Sequence, residues 1–176
     1  MNLKKNLKLF LFLSLFFNFL KAAELKNAEV SFTAVGSPSF LRITGEASKL
    51  DYVVATEKGG EKFDVFEFPL KELSTGIDLR DEHMKQKYLD VKEYPTARLK
   101  FRQQDKSILS FEDKKTLEGT LSLHGQTKAV LIEAQKKGKR IQAHYEIKLS
   151  DFGIKIPEWA GITVADKVNV ETSFEL

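Results

Sequence analysis

The chain has 176 residues, of which 42% are hydrophobic and 30% are charged, and this length suits one domain with its own core. Its formal charge of +3 comes from residues 1–23, which carry four lysines and no acidic side chain; residues 24–176 hold 24 basic and 25 acidic side chains. That balance lacks the basic face that nucleic-acid binding requires. The absence of cysteine excludes disulfide bonds, thiol catalysis and thiolate metal sites.

Residues 1–23 have the composition of a signal peptide. Lysines precede an uncharged run rich in leucine and phenylalanine over residues 9–20, and Ala22 and Ala23 follow it. The run is about a dozen residues long, short of the ~20 that a membrane-spanning helix needs. We therefore expect cleavage after Ala22 or Ala23, a periplasmic or secreted location, and a mature domain over residues 24–176. An uncleaved signal anchor is the alternative.

From residue 24 onward the dominant pattern is alternation with a period of two, which predicts strands with one buried face. A short strand over residues 52–56 precedes a turn at Gly59 and Gly60, where two glycines tolerate positive φ. Eight or more strands are predicted. The other predicted inward sets are Ala28, Val30, Phe32 and Ala34; Leu41, Ile43, Gly45 and Ala47; Phe66, Phe68 and Leu70; Ala97, Leu99 and Phe101; Leu117, Gly119, Leu121 and Leu123; Val130, Ile132 and Ala134; Ile141, Ala143, Tyr145, Ile147 and Leu149; Val168, Val170, Thr172 and Phe174.

Residues 78–89 break the alternation and predict one short helix. They contain good helix formers, Asp78 is placed to cap the first turn, and Asp81 and Glu82 lie near the positive end of the helix dipole. Residues 156–167 contain proline and glycine and predict a long loop before the last strand.

Strands that alternate in this way suit either a sandwich or an up-and-down barrel. The short connections favour a closed barrel of eight strands, which has room inside for packed side chains or for one small ligand. The alternation leaves open whether the interior is filled or hollow.

Three blocks of sequence resemble the YceI-like family, in an order and spacing that cover nearly all of residues 24–176. The first block is LSTGIDLRDEHM at 73–84, which runs into YLD at 88–90 and YPTA at 94–97. The second is LEGTLSLHGQTK at 117–128, and the third is SDFGI at 150–154 followed by VADKV at 164–168. The resemblance implies an all-β fold, an extended antiparallel eight-stranded lipocalin-like β-barrel with one short helix flanking it. It also implies binding of a polyisoprenoid or another long-chain amphiphile outside the cytoplasm, with no catalytic residues established.

We therefore expect the inward apolar side chains to form a tunnel for an isoprenoid quinone, a polyprenol or a fatty-chain amphiphile, with no other cofactor. Each buried CH2 group contributes ~0.8 kcal/mol, so ~20 carbons give on the order of 16 kcal/mol before ordering costs. The predicted ligand-binding residues are Phe32, Ile43, Phe66, Phe68, Leu99, Phe101, Leu121, Leu123, Ile132, Ile141, Tyr145, Ile147, Phe152, Trp159, Val168 and Val170.

Arg80, Asp81 and His83 are the candidates for contact with a lipid head group, because a guanidinium holds carbonyl and carboxylate oxygens well. The alternative is that Arg80 and Asp81 form an ion pair that docks the helix over the barrel end. A zinc site would need His83, His124 and His144 to converge. His144 has the opposite parity to Tyr145 and is predicted to face outward, so we predict no metal site.

Two other functional classes remain beside the lipid carrier. One is a structural or protein-interaction barrel whose interior is filled by its own side chains. The other is an enzyme that acts on a lipid head group through Arg80, Asp81 and His83, although no hydrolase or nucleotide-binding motif appears. The expected partners are a long-chain lipid, a membrane in transient contact and, through exposed strand edges, a second copy of the chain.

Overall fold

The structure, a computed structural model, describes residues 18–37, 41–103, 108–159 and 162–176, so most of the predicted signal peptide lies outside the described residues. One antiparallel sheet dominates this part of the chain. Its strands are β1 (Asn18–Glu24), β2 (Lys26–Ser37), β3 (Arg42–Ala47), β4 (Asp51–Thr56), β5 (Lys62–Pro69), β6 (Thr96–Arg102), β7 (Lys114–Leu123), β8 (Gln126–Lys137), β9 (Arg140–Lys148), β10 (Glu158–Trp159) and β11 (Ile162–Glu175).

The strands follow the order β1-β4-β5-β6-β7-β8-β9-β11-β2-β3, and β10 pairs with β11. Nine strands of six or more residues begin after residue 24, one more than the predicted eight. The predicted loop over 156–167 is shorter than expected, because Glu158 pairs with Thr163 and brings residues from Ile162 onward into β11.

The sheet curls into an incomplete barrel, whereas the short connections had favoured full closure. Within the described residues its end strands, β1 and β3, do not pair with each other. A connecting segment bridges the free edge of β3 instead: the Glu46 N–H donates to the Ser74 carbonyl at 2.8 Å, and the Ser74 N–H donates to the Glu46 carbonyl at 2.9 Å. The gap in the barrel is therefore partly closed by the chain that follows β5.

Alternation along the strands produces the buried core, as predicted. Along β9, for example, Ile141, Tyr145 and Ile147 are buried while Gln142 and His144 are exposed. Each fully buried large apolar side chain contributes about 1.5–3 kcal/mol relative to exposure. The inward face of the sheet is thus the main source of stability.

The predicted helix is confirmed, with two corrections. It consists of α1 (Asp78–His83) and a π-helical turn over Met84–Tyr88. Asp78 is not the cap, since Ile77 occupies that position and no side chain caps the helix. Leu79 and His83 are exposed, whereas Met84 and Tyr88 pack against the core. Within the described ranges, no helix is both long and apolar enough to cross a membrane.

The three sequence blocks meet at one end of the barrel, here called the His124 end. His124 and Gly125 have φ of 49° and 73° and form the two-residue turn between β7 and β8. The Tyr94 ring lies 4.8 Å from the His124 ring, and a Cβ on Gly125 would approach the Tyr94 ring to 2.8 Å. His124 Nδ1 lies 3.0 Å from the Phe152 carbonyl oxygen. Glycine at 125 is therefore required both by its φ and by the neighbouring ring.

Candidate functional site

The curled sheet encloses an apolar cavity of about 70 Å³. Eighteen of the described residues line it, and sixteen of these have apolar side chains. Half of the sixteen predicted ligand-binding residues are among them. These are Phe66, Phe68, Leu99, Phe101, Leu121, Ile132, Ile141 and Tyr145.

The other predicted residues do not line the cavity. The Trp159 side chain lies outside what the structure describes. Seven more belong to the same hydrophobic core but lie toward the His124 end, where Phe152, only 1% exposed, fills the interior together with Ile154. These seven are Phe32, Ile43, Leu123, Ile147, Phe152, Val168 and Val170. The interior therefore consists of a filled half and a half that contains the cavity.

The cavity extends away from the His124 end. On β9 its lining ends at Tyr145 and excludes Ile147, and on β11 it includes Thr172 and Phe174. At the far end the half-buried Leu109 and Phe111 line it. We call this the Phe111 end; it also holds the first residues of β7 and the β8–β9 turn.

Aromatic rings occupy much of the space around the cavity. The Phe66 ring lies 5.1 Å from Tyr52, 5.5 Å from Phe174 and 6.0 Å from Phe101, the last in an edge-to-face arrangement. An apolar cavity of roughly 150 Å³ is known to hold one benzene molecule. A cavity of about 70 Å³ is less than half that size, so a longer ligand requires these rings to move.

Two lining residues, Tyr145 and Thr172, carry the polar groups of the cavity. Burial raises the pKa of Tyr145 to about 12, and a hydrogen bond from the Thr172 side chain acts in the opposite direction. The phenol is therefore neutral at physiological pH and retains its proton.

A second buried polar group, Asp64, was missed by the sequence reasoning. Asp64 is fully buried and accepts hydrogen bonds from the Tyr52 hydroxyl at 2.5 Å and from Gln103 Nε2 at 2.7 Å. It shares its face of β5 with Phe66 and Phe68, and this parity was the signal that could have found it. Asp64 does not line the cavity.

The head-group candidates Arg80 and Asp81 bind the preceding turn rather than each other. Asp81 accepts hydrogen bonds from the Ser74 hydroxyl at 2.7 Å, from the Thr75 N–H at 2.7 Å and from the Thr75 hydroxyl. Arg80 donates to the Thr75 hydroxyl and to the Thr75 carbonyl, both at 2.8 Å. Ser74 is the residue that bridges β3, so Arg80 and Asp81 stabilise the segment that covers the barrel gap. His83 is exposed, and none of these three residues lines the cavity.

The three histidines lie on separate elements. His83 is on α1, His124 is in the β7–β8 turn, and His144 faces outward on β9, as predicted, 3.9 Å from Glu171. In the part of the chain that the structure describes, no group of three or more His, Asp or Glu side chains is arranged to hold a metal ion.

Two carboxylates should make stability depend on pH. Burial alone would raise the pKa of Asp81, but the hydrogen bonds from Thr75 and Ser74 outweigh it and hold the pKa below its ordinary value of 3.8. Hydrogen bonds from the Ser150 hydroxyl and N–H likewise lower the pKa of Asp166. A carboxyl whose pKa is lower in the folded state stabilises the fold above its unfolded pKa and loses this contribution as the pH falls through the folded pKa.

We therefore expect the free energy of unfolding to decrease as the pH falls below about 4, near the ordinary pKa of aspartate. Urea unfolding between pH 7 and pH 2.5 measures this. The Asp81→Asn variant should be less stable than the wild type at pH 7 and should lose less stability on acidification. An identical pH dependence in variant and wild type would contradict the role of Asp81.

The fold matches several solved structures. A polyisoprenoid binding domain from Saccharophagus degradans, implicated in plant cell wall breakdown, aligns with a TM-score of 0.60 and 16% identity over 88% of this chain and 97% of that one. BcnA from Burkholderia cenocepacia aligns with a TM-score of 0.63 and 18% identity over 84% and 94% of the two chains. A mutant of the Campylobacter jejuni YceI protein aligns with a TM-score of 0.52 and 19% identity over 76% and 85%. At these identities the likeness shows the fold.

No curated protein matches the chain. The model of one protein family, described as the YceI-like domain, matches residues 21–176, which is most of the chain and the whole of the sheet from β2 onward. The chain therefore belongs to the YceI-like family.

Proposed function

We propose that this chain is an exported binding protein that holds an isoprenoid, such as a quinone or a polyprenol, or another long-chain amphiphile inside the curled sheet, for transport or storage. The observation that carries the proposal is the apolar cavity, with sixteen apolar side chains among the eighteen that line it. The description of a solved protein of the same fold as a polyisoprenoid binding domain supports it.

Binding requires the interior to expand, and the lining has a means of doing so. Rotation of the Phe66, Phe101 and Phe174 rings, which line the cavity, would widen it toward the Phe111 end. The transfer of ~20 chain carbons from water supplies on the order of 16 kcal/mol. Displaced rings and ordering of the ligand oppose this gain, and the remainder supports binding.

Export is the second part of the proposal. The family match begins at residue 21, close to the expected cleavage after Ala22 or Ala23. Cleavage after Ala23 would remove β1 except for Glu24 and would make β4 an end strand of the sheet. Sequencing the amino terminus of the protein recovered outside the cytoplasm tests this. An intact amino terminus in that fraction would favour a signal anchor.

Native mass spectrometry of protein purified from its own compartment, followed by denaturing release of any adduct, tests the binding function. We expect a discrete adduct of lipid mass in the wild type. Ala143→Leu adds volume at the cavity wall and should reduce the adduct. Ala129→Leu makes the same change on the exposed face of the neighbouring strand β8 and should leave the adduct unchanged.

The small size of the cavity favours one competing function, a structural or protein-interaction barrel with a filled core. About 70 Å³ is compatible with an interior occupied by the protein's own side chains. This alternative predicts a bare polypeptide mass in repeated preparations. It also predicts no change in thermal stability when long-chain lipids are added, whereas a bound ligand would raise it.

A further inference from the structure

We infer that the paired hydroxyl groups of Tyr145 and Thr172 bind one uncharged oxygen atom of the ligand, a carbonyl or a hydroxyl, at the inner end of the cavity. The inference rests on the proposed function and specifies the chemistry and orientation of the ligand.

The position of the pair is the first argument. Tyr145 and Thr172 face the interior from the adjacent strands β9 and β11, where Tyr145 pairs with Val170. They lie where the cavity meets the filled half, at the point farthest from the Phe111 end along these two strands. A ligand that enters from the Phe111 end therefore meets these two hydroxyls at the inner limit of the cavity on β9 and β11.

The hydrogen-bond inventory is the second argument. Two hydroxyls provide two O–H donors, and the hydrogen bond between Thr172 and Tyr145 uses one of them. Among the described residues, no further hydrogen bond to either hydroxyl is present. When Thr172 donates this bond, the Tyr145 O–H is available to an acceptor, and the other described lining side chains, all apolar, provide no acceptor. An oxygen atom on the ligand would satisfy this donor.

Charge is the third argument. Among the residues that the structure describes, no basic side chain lines the cavity, and an ionised phosphate or carboxylate buried without a counter-charge is strongly disfavoured. The Tyr145 phenol also keeps its proton, because burial raises its pKa to about 12. A neutral donor in apolar surroundings suits a carbonyl or hydroxyl oxygen. A charged head group would have to remain outside, at the Phe111 end.

The test compares three probes of the same chain length: geranylgeraniol, the corresponding hydrocarbon without the oxygen, and geranylgeranyl phosphate. Affinities are measured by native mass spectrometry titration for the wild type, Tyr145→Phe and Thr172→Val, both of which nearly preserve volume. The ratio of alcohol affinity to hydrocarbon affinity should fall roughly three- to tenfold in Tyr145→Phe, since one neutral hydrogen bond is lost. Comparing ratios removes differences in the solubility of the probes.

Tyr88→Phe serves as the matched control, because Tyr88 is half-buried and lies outside the cavity lining. Its ratio should equal that of the wild type. Thr172→Val provides an independent variant should Tyr145→Phe fail to fold. It removes the hydroxyl that directs and polarises the Tyr145 O–H, so its ratio should fall in the same direction by a smaller factor. Melting temperatures of all variants establish that they are folded.

The outcomes separate the two proposals. If the wild type binds none of the probes, the proposed function fails and the inference fails with it. If alcohol and hydrocarbon bind but their ratio is the same in the wild type, Tyr145→Phe and Thr172→Val, lipid binding stands and the inference is overturned. The inference is also overturned if geranylgeranyl phosphate binds as tightly as the alcohol and this binding depends on Tyr145. An uncharged oxygen would then not be required.

Discussion

Replacing Phe66 with alanine should lower the free energy of unfolding by about 3–5 kcal/mol and should strengthen the binding of short apolar ligands. Phe66 is 7% exposed, and its ring contacts Tyr52, Phe101 and Phe174. Removal of the ring would enlarge the cavity that it lines. Urea unfolding measures the loss of stability, and titration with a ten-carbon alkane measures the gain in affinity.

Phe63 provides a matched control on the same strand. It is buried to a similar extent, but it lies on the opposite face of β5, where it packs with Ala55 and Val65 and lies beneath the Lys100 ammonium group. Phe63→Ala should therefore lose stability without any gain in affinity for the alkane. Equal affinities in Phe66→Ala and Phe63→Ala would mean that the cavity is not the binding site.

The alternation of residues predicted the strands and their inward faces, because burial on one face of a strand leaves a period of two in the sequence. Ile132, Ile141 and Phe174 were assigned to the interior in this way, and each is at most 3% exposed. The prediction worked because the inward residues of these strands are mostly apolar and the opposite residues are mostly polar, although Leu131 on β8 is an exposed apolar exception.

The same pattern could not separate lining residues from filling residues. Ile147 and Tyr145 share one face of β9, yet only Tyr145 lines the cavity. The difference depends on Phe152, which comes from the segment after β9 and fills the interior at the His124 end. Such packing arises from the meeting of distant segments, and no local period records it.

The head-group candidates show a related difficulty. Arg80 and Asp81 were selected because their side-chain chemistry suits an oxygen-rich ligand. In the fold they are bound to Thr75, five and six residues away in sequence, and hold the turn that bridges β3. The chemistry of a residue type indicates what it is able to bind, but its position in the fold determines what it meets.

Asp64 is a polar residue on the inward face of β5, and the pattern of apolar residues did not indicate its burial. Its replacement is the second substitution for which we expect a large loss of stability. The inward set predicted for this strand began at Phe66, and Asp64 was not considered as a member of it. In the structure β5 begins at Lys62, and Asp64 lies on the same face as Phe66. A buried carboxylate in an apolar interior is tolerated only where hydrogen bonds satisfy it, and Tyr52 and Gln103 supply them.

Replacing Asp64 with alanine should therefore lower the free energy of unfolding by about 2–5 kcal/mol, because the Tyr52 hydroxyl and the Gln103 amide would each lose the acceptor that Asp64 provides. Asp64→Asn keeps one acceptor oxygen and should cost less. Asp51→Ala removes an exposed aspartate from the neighbouring strand β4 and should change stability by less than about 0.5 kcal/mol. Chemical denaturation of the three variants at pH 7 gives these values.

A double-mutant cycle tests whether the cost arises from the hydrogen bonds rather than from the loss of volume. With Asp64→Ala already present, Tyr52→Phe should cost less than in the wild type, since it removes a hydroxyl that no longer bonds to Asp64. In the wild type the same Tyr52 substitution should be destabilising, because it takes one donor from a fully buried carboxylate. Coupled residues are expected to depart from additivity by about 0.5–3 kcal/mol. Additive effects would show that Asp64 stabilises the barrel by some route other than its bond to Tyr52.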